Sequence, residues 1–493
     1  MKYFRLNLNL FLLFTISLSF VPISLLGQGR GSLVEDSLYF RLDFQEIDSL
    51  YGLLGLPPAL APIEYELDVY RLVYRTKAAT GDSLTTASGL VFIPVDNCGW
   101  PVISYQHGTN FYGAAPSDLG LEWLLGIPFS TAGYVVSMSD YLGLGVNPSG
   151  LPHPFLHADT EASASIDMLR AVRAFCNREN IGLTEQLFLG GYSQGGHATL
   201  ATQRSMERDF PSEFQVTATS AGGGPYNLEQ TLVDLAGQDE GDNAFFLAYA
   251  MMGFQFVYGN LWTDPVEAFQ PPYDSLIPAY FNPLDPQPVA LPDTARNIIN
   301  PSYLSAVLQD SLHPVRVALR DNNLIHWTPQ AQMRLYYCQA DLTVPFQNSI
   351  QAADTFISRG ANMVDTLNAG AELGHEECAI PVIFGTKFWF DALKDSCVID
   401  TGTVSHIVSG SKPLVKAFPQ PAYDQLFLEL DPVIFAKGWT QVRIRSLLGE
   451  KLFESKLDLN HGNAIDVTAL ASGTYILEIW SERTFIRQKL LIN

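Results

Sequence analysis

The segment FLGGYSQGGHATL, residues 188–200, constrains this chain more than any other. An apolar run enters it, a run with helical spacing leaves it, and Gly191-Tyr192-Ser193-Gln194-Gly195 lies between them. A serine on so sharp a strand-to-helix turn takes a strained backbone conformation, and side chains two residues away would strike the neighbouring strand and helix. Glycine removes that clash. The turn lifts the hydroxyl above a sheet edge, where the first turn of the following helix stabilises negative charge.

The surrounding rhythm agrees. ELDVYRLVYRT and SLTTASGLVFIPV alternate apolar and polar residues around a Gly81-Asp82 turn, which predicts a hairpin. Short apolar strands follow at Val102–Tyr105, Tyr134–Met138 and Leu187–Leu189. Between the last two, Ala162–Phe175 carries Ile166, Met168, Leu169, Val172 and Phe175 on one helical face. This alternation implies an α/β fold: a mostly parallel sheet covered by helices on both faces. Residues 225–327 break the pattern with aromatics and prolines. A hundred residues without a clear strand is too long for a simple loop and predicts an inserted, largely helical subdomain. Alternation resumes with a strand at Met333–Tyr337, a helix near Ser349–Ser358, a strand near Met363–Leu367 and a helix over about Glu377–Lys394. A Ser/Thr/Gly/Pro-rich linker, 401–413, leads to residues 414–493, which read as strand and turn throughout: a small all-β sandwich.

A nucleophilic serine needs a base, and the base needs an orienting acid. On doubly wound sheets with such a turn the chain order is serine, acid, histidine. His406 lies in the linker and His461 in the terminal sandwich, which leaves His375, in AELGHEEC, as the base. The strand Met333–Tyr337 runs into YYCQADLTVP and places Asp341 on the turn where a carboxylate meets the imidazole; Asp354 falls inside a helix and Asp365 inside a strand. Two backbone N–H groups should bind the developing oxyanion. One is that of Gln194, and the other that of Gly108 or Thr109 in VISYQHGTN. No metal and no cofactor is required. If residues 225–327 fold over Ser193, large apolar side chains such as Phe245, Phe246, Phe254, Phe256 and Trp262 turn inward, with Phe254 and Phe256 as acyl-chain contacts.

Charge and cysteines bound the setting. With 29 basic against 51 acidic residues the net charge of the 493-residue chain is −22, which repels phosphate backbones, so nucleic acid is excluded as a partner. Hydrophobic residues make up 47% and charged residues 16%, enough apolar material for a large core and too much for disorder. Residues 1–27 read as an export signal: Lys2 and Arg5, an apolar run from Leu10 to Leu26, and Leu25 and Gly27 at the −3 and −1 positions of a cleavage site. No later segment is long and apolar enough for a transmembrane helix. Five cysteines with no C-x-x-C pair fit an exported protein with one or two disulfides and a free thiol. Cys98 precedes a strand and Cys176 ends an antiparallel helix, so both sit at the strands' N-terminal edge and a Cys98–Cys176 bond is expected. Cys378 and Cys397 bracket a helix of about 28 Å, too far to pair.

YQHGT, DYLGLG (140–145), HPFLHA (153–158), GGYSQGGHA and ADLTVP together resemble the secretory lipase group of α/β-hydrolases, in scattered blocks over residues 60–395. The resemblance implies a serine esterase working through an acyl-enzyme, with Ser193, Asp341 and His375 in the catalytic roles, a cap over the site, and a small-molecule or lipid ester as substrate. AFPQPAYDQLFLEL, VRIRSLLGEKLFE and IDVTALASGTYILEI resemble a type IX secretion sorting domain, with Gln420 where asparagine is usual. That implies passage through the periplasm and outer membrane by the type IX machinery, a secreted or cell-surface location, and removal of this domain. Two other functions suit the same fold. A prolyl-oligopeptidase-like peptidase usually adds a propeller, and only residues 28–101 precede the Val102 strand. A non-catalytic binding protein on a hydrolase scaffold typically loses the serine or the histidine, and this chain keeps both.

Overall fold

A computed structural model describes residues 29–395 except 54–55, 57–59, 148–149 and 232–242, and residues 415–492 except 420, 431–439, 447–450, 458–463 and 482–483. The segments read as an export signal, 1–27, and as a linker, 401–413, lie outside the described residues.

The main sheet has nine strands in the order β1-β2-β3-β5-β4-β6-β7-β8-β9. These are β1 (Leu33–Leu42), β2 (Leu67–Lys77), β3 (Leu84–Pro94), β4 (Trp100–Gln106), β5 (Val135–Ser139), β6 (Leu183–Tyr192), β7 (Ala218–Gly222), β8 (Gln332–Cys338) and β9 (Val364–Gly370). β1, β2, β3 and β5 pair antiparallel in turn, and every pair from β5 through β4 to β9 is parallel. Parallel strands are buried on both faces, which is why β5 and β7 are apolar or small throughout.

The helices in chain order are α1 (Phe44–Leu53), α2 (Gly126–Ser130), α3 (Ala158–Arg178), α4 (Gln194–Asp209), α5 (Asn243–Tyr258), α6 (Pro265–Ala268), α7 (Tyr273–Tyr280), α8 (Pro301–Gln309), α9 (Pro314–Asp321), α10 (Gln347–Ser358) and α11 (His375–Leu393). One apolar cluster packs α11 and α2 against the sheet through Phe92, Phe129, Phe188 and Phe390; another packs α3 through Ile166, Val172 and Phe175. Helices α5 to α9 all lie between β7 and β8 and share a separate cluster around Tyr249, Phe254, Trp262 and Phe269. Among the described residues no helix is long and apolar enough to cross a membrane.

The C-terminal unit has a three-stranded sheet and a four-stranded sheet, every named pair antiparallel. Leu426, Ile444, Ile465 and Ile479 are among the residues of its own buried core.

The cysteines depart from expectation. Cys98 and Cys176 fall in the same apolar cluster, in keeping with their shared edge, yet Cys176 is a free buried thiol and Cys98 is bonded elsewhere. Burial pushes the Cys176 thiol up to about 12, so it supplies no thiolate for exchange. Cys338 instead bonds Cys378, with Cα atoms 6.0 Å apart. The end of β8 and the first turn of α11 come side by side, a juxtaposition that needs the whole sheet and that spacing alone does not reveal.

Candidate active site

Ser193 occupies the turn between β6 and α4 with φ 60° and ψ −122°. Two hydrogen bonds hold this strained backbone: Ser193 N–H donates to Gly222 O on β7 at 2.9 Å, and Ser193 O accepts from Gly196 N–H at 2.9 Å. A Cβ on Gly195 would stand 2.0 Å from Gln106 O, and one on Gly191 2.4 Å from Gly195 O. Backbone proximity therefore demands both glycines of the motif.

Asp341 and His375 reach the same point from the next strands. Asp341 lies three residues beyond β8, and its Oδ1 accepts from the N–H groups of Thr343 and Val344 at 3.0 and 2.8 Å. Oδ2 is left for the histidine. His375 is the first residue of α11; its Nδ1 donates to Asp341 Oδ2 at 2.6 Å, and its Nε2 accepts from Ser193 Oγ at 2.8 Å. Tyr192, beside the serine, donates its hydroxyl to His375 O at 2.6 Å and lays its ring against the imidazole. The chain Oγ–Nε2–Nδ1–Oδ2 is continuous, and its two ends are braced by backbone. Asp365, set aside in the sequence, is held by Arg334 at 2.8 Å away from the site.

The oxyanion side needs one correction. Gly108 N–H donates to Glu122 Oε2 at 2.6 Å and is not free for a substrate. Thr109 and Gln194 remain, and both line the pocket that opens at Ser193. Gln194 is the first residue of α4, where N–H groups have no intrahelical acceptor. Glu122, fourteen residues beyond Gly108, carries no motif that would have marked it. Withdrawal from water raises its carboxyl to about 7, against the lowering effect of the Gly108 N–H.

The pocket itself is apolar. The sheet domain supplies Phe155 and Leu156, and the cap supplies Leu228, Phe246, Leu247, Ala250 and Leu319. Phe254 does not line it. It is 1% exposed within the cap's own core, edge-on to Tyr258, one turn beyond Ala250 on α5. Phe256 is half-buried and also absent from the lining. Phe246, turned inward as expected, is the aromatic that α5 presents to the pocket.

Residues 113–271 match the Secretory lipase family, and residues 416–493 match the Secretion system C-terminal sorting domain. A secreted triacylglycerol lipase of Malassezia globosa is 23% identical over 373 residues, 68% of this chain and 75% of that one. Two solved structures cover 75% of this chain and 98% of their own. The rice cell wall degrading esterase LipA from Xanthomonas oryzae has 29% identity and a TM-score of 0.65, and a putative hydrolase from Legionella pneumophila has 27% identity and a TM-score of 0.67. The sorting domain directs the chain to the cell surface or the extracellular space by type IX secretion. The chain has the α/β-hydrolase fold, with a region that matches the secretory lipase family and a C-terminal region that matches the secretion sorting domain.

Proposed function

We propose that the protein is a secreted serine ester hydrolase acting on apolar acyl esters. The observation that carries this reading is the unbroken Ser193–His375–Asp341 chain, at 2.8 and 2.6 Å, at the base of an apolar pocket. The similarity to lipases and an esterase supports ester hydrolysis in general; the residue roles rest on the geometry.

Ser193 Oγ attacks the acyl carbon while its proton passes to His375 Nε2. Asp341 holds the imidazole with Nδ1 protonated and stabilises the imidazolium that forms. The N–H groups of Gln194 and Thr109 bind the oxyanion of the tetrahedral intermediate. Its collapse expels the alcohol, which leaves with the proton from Nε2 and generates the acyl-enzyme. Water then attacks the acyl carbon, gives its proton to Nε2, and the carboxylic acid departs as Ser193 recovers its hydrogen. The apolar pocket strips water from this sequence and so strengthens both oxyanion bonds.

The test is a fluorophosphonate probe with p-nitrophenyl esters of graded acyl length, beside aminoacyl amides. Labelling at Ser193 with ester turnover supports the reading. Preference for the amides would transfer the same residues to a peptidase, and an unlabelled protein would make it a non-catalytic binder.

A further inference from the structure

Behind the nucleophile turn, away from His375, lies a second group of titratable side chains that the reaction above leaves unused. Glu161 on α3 is 1% exposed, His197 on α4 is fully buried, and His153 is 1% exposed. Glu161 Oε1 accepts from Gln194 Nε2 at 3.0 Å, and Glu161 Oε2 lies 2.7 Å from His197 Nδ1. The Gln194 amide also points at His153 Nε2, 2.9 Å away. His153 Nδ1 donates to Leu142 O at 2.7 Å, which leaves Nε2 as the acceptor, and burial lowers this imidazole to about 3, so it is neutral in ordinary buffers.

A carboxylate withdrawn from water is costly unless it is paired and hydrogen-bonded. Both partners of Glu161 stand on the first turn of α4, at the first and fourth positions, and so on one face. Gln194 is also the residue whose backbone N–H faces the oxyanion. The other side of the group reaches the cap. His197 Nε2 lies 3.1 Å from Asn322 O, just past α9. The Asn322 side chain accepts from Ala158 N–H at 2.8 Å and donates to Tyr258 Oη at 2.9 Å, at the end of α5.

We infer that Glu161 is a positioning residue for the oxyanion hole: by gripping Gln194 and His197 it sets the orientation of the first turn of α4 and hence the aim of the Gln194 N–H. Through His197 and Asn322 the same grip ties that turn to the cap. The inference rests on the reading of Ser193 as the nucleophile. Deleting an oxyanion donor costs about 10²–10³ in rate, and misdirecting one costs less.

The experiment measures the second-order rate of Ser193 phosphonylation, which develops the same oxyanion whatever the natural substrate, together with kcat and KM on p-nitrophenyl butyrate. Glu161→Ala should slow phosphonylation and kcat by about 10- to 100-fold with KM within about twofold. Glu161→Gln should recover most of the rate, because a glutamine amide can accept from Gln194 and donate to His197. If Glu161→Ala does not fold by circular dichroism, Gln194→Ala serves: it keeps the backbone N–H and the Glu161–His197 pair but releases the turn, and should give the same kcat loss at constant KM. Variants that react within about threefold of wild type overturn the inference alone, as does a rise in KM that matches the fall in kcat. A wild-type Ser193 inert to the probe overturns both this inference and the proposed function.

Discussion

At the strand ends, backbone dictates side chains: Gly191 and Gly195 have no room for a Cβ, Ser193 is pinned by Gly222, and Asp341 is spanned by two N–H groups. In the cap, apolar mass is arranged with far more latitude. Helix α5, NAFFLAYAMMGFQFVY, is apolar over nearly its whole circumference, and its side chains divide between a private core and the pocket wall. On the proposed reading, the first region cannot be altered without losing chemistry. The second can be altered residue by residue, and the result depends on which side of α5 is touched. Under the proposed function, the reacting atoms stay constant while the wall that would meet an acyl chain is free to vary.

That contrast is open to attack. Its sharpest form is Ser193→Ala, which removes a hydroxyl and opens no core cavity. Ester turnover should fall by at least about 10³-fold while the thermal midpoint stays within about 2 °C. Residual activity above about a thousandth would remove Ser193 from its role. The mirror image is Phe254→Ala in the cap core, which should cost about 3–5 kcal/mol in a denaturant titration. The molecules still folded should show an unchanged ratio of rates on long and short esters.

Glu122→Gln tests the border between the regions, since Glu122 accepts the Gly108 N–H beneath the oxyanion loop. Its folded carboxyl titrates near 7 against an ordinary 4.5. Between those values the folded state holds a proton that the unfolded chain has lost, so this group's contribution to stability falls as pH rises through that window. Glutamine keeps an acceptor for Gly108 and does not titrate. Relative to wild type the variant should therefore gain about 1–3 kcal/mol between pH 5 and pH 8, read from urea midpoints at the two pH values. A constant difference would mean that the carboxyl titrates normally. The smallest effect is expected at the pocket wall. Phe246→Ala should raise KM a few-fold for long acyl esters and less for acetate, with little loss of stability; equal loss on both would place Phe246 with Phe254 in the cap's core.

The same division explains what the sequence could reveal. Strands β2 to β6 and β8 carry apolar runs or alternation, and the G-x-S-x-G turn together with the order serine, acid, histidine after successive strand ends singles out Ser193, Asp341 and His375 as candidates. Strand β7 is ATSAG, too small and polar to read as a strand, although the sheet buries every residue of it. Setting Gly108 aside required knowing that Glu122 takes its N–H, a contact across fourteen residues with no repeating pattern. A helix so nearly apolar all round has no periodicity to say which face looks down, and so Phe254 and Phe246 could not be told apart. The disulfide hid for a similar reason. Cys338 stands three residues before Asp341 and Cys378 three after His375, but only the folded sheet brings those ends together.

That bond closes a ring in the covalent chain. Within it lie Asp341, all of α10, the exposed turn at Arg359 and Gly360, strand β9 and His375. A protease that cuts once at this turn opens the ring without dividing the molecule: the new ends separate, yet Asp341 and His375 each remain three residues from the same bond. Outside the cell, where peptidases are plentiful, such a nick becomes a tolerable injury. The cleaved protein should run as one band without reductant and as two with it, and it should keep its activity until the bond is reduced.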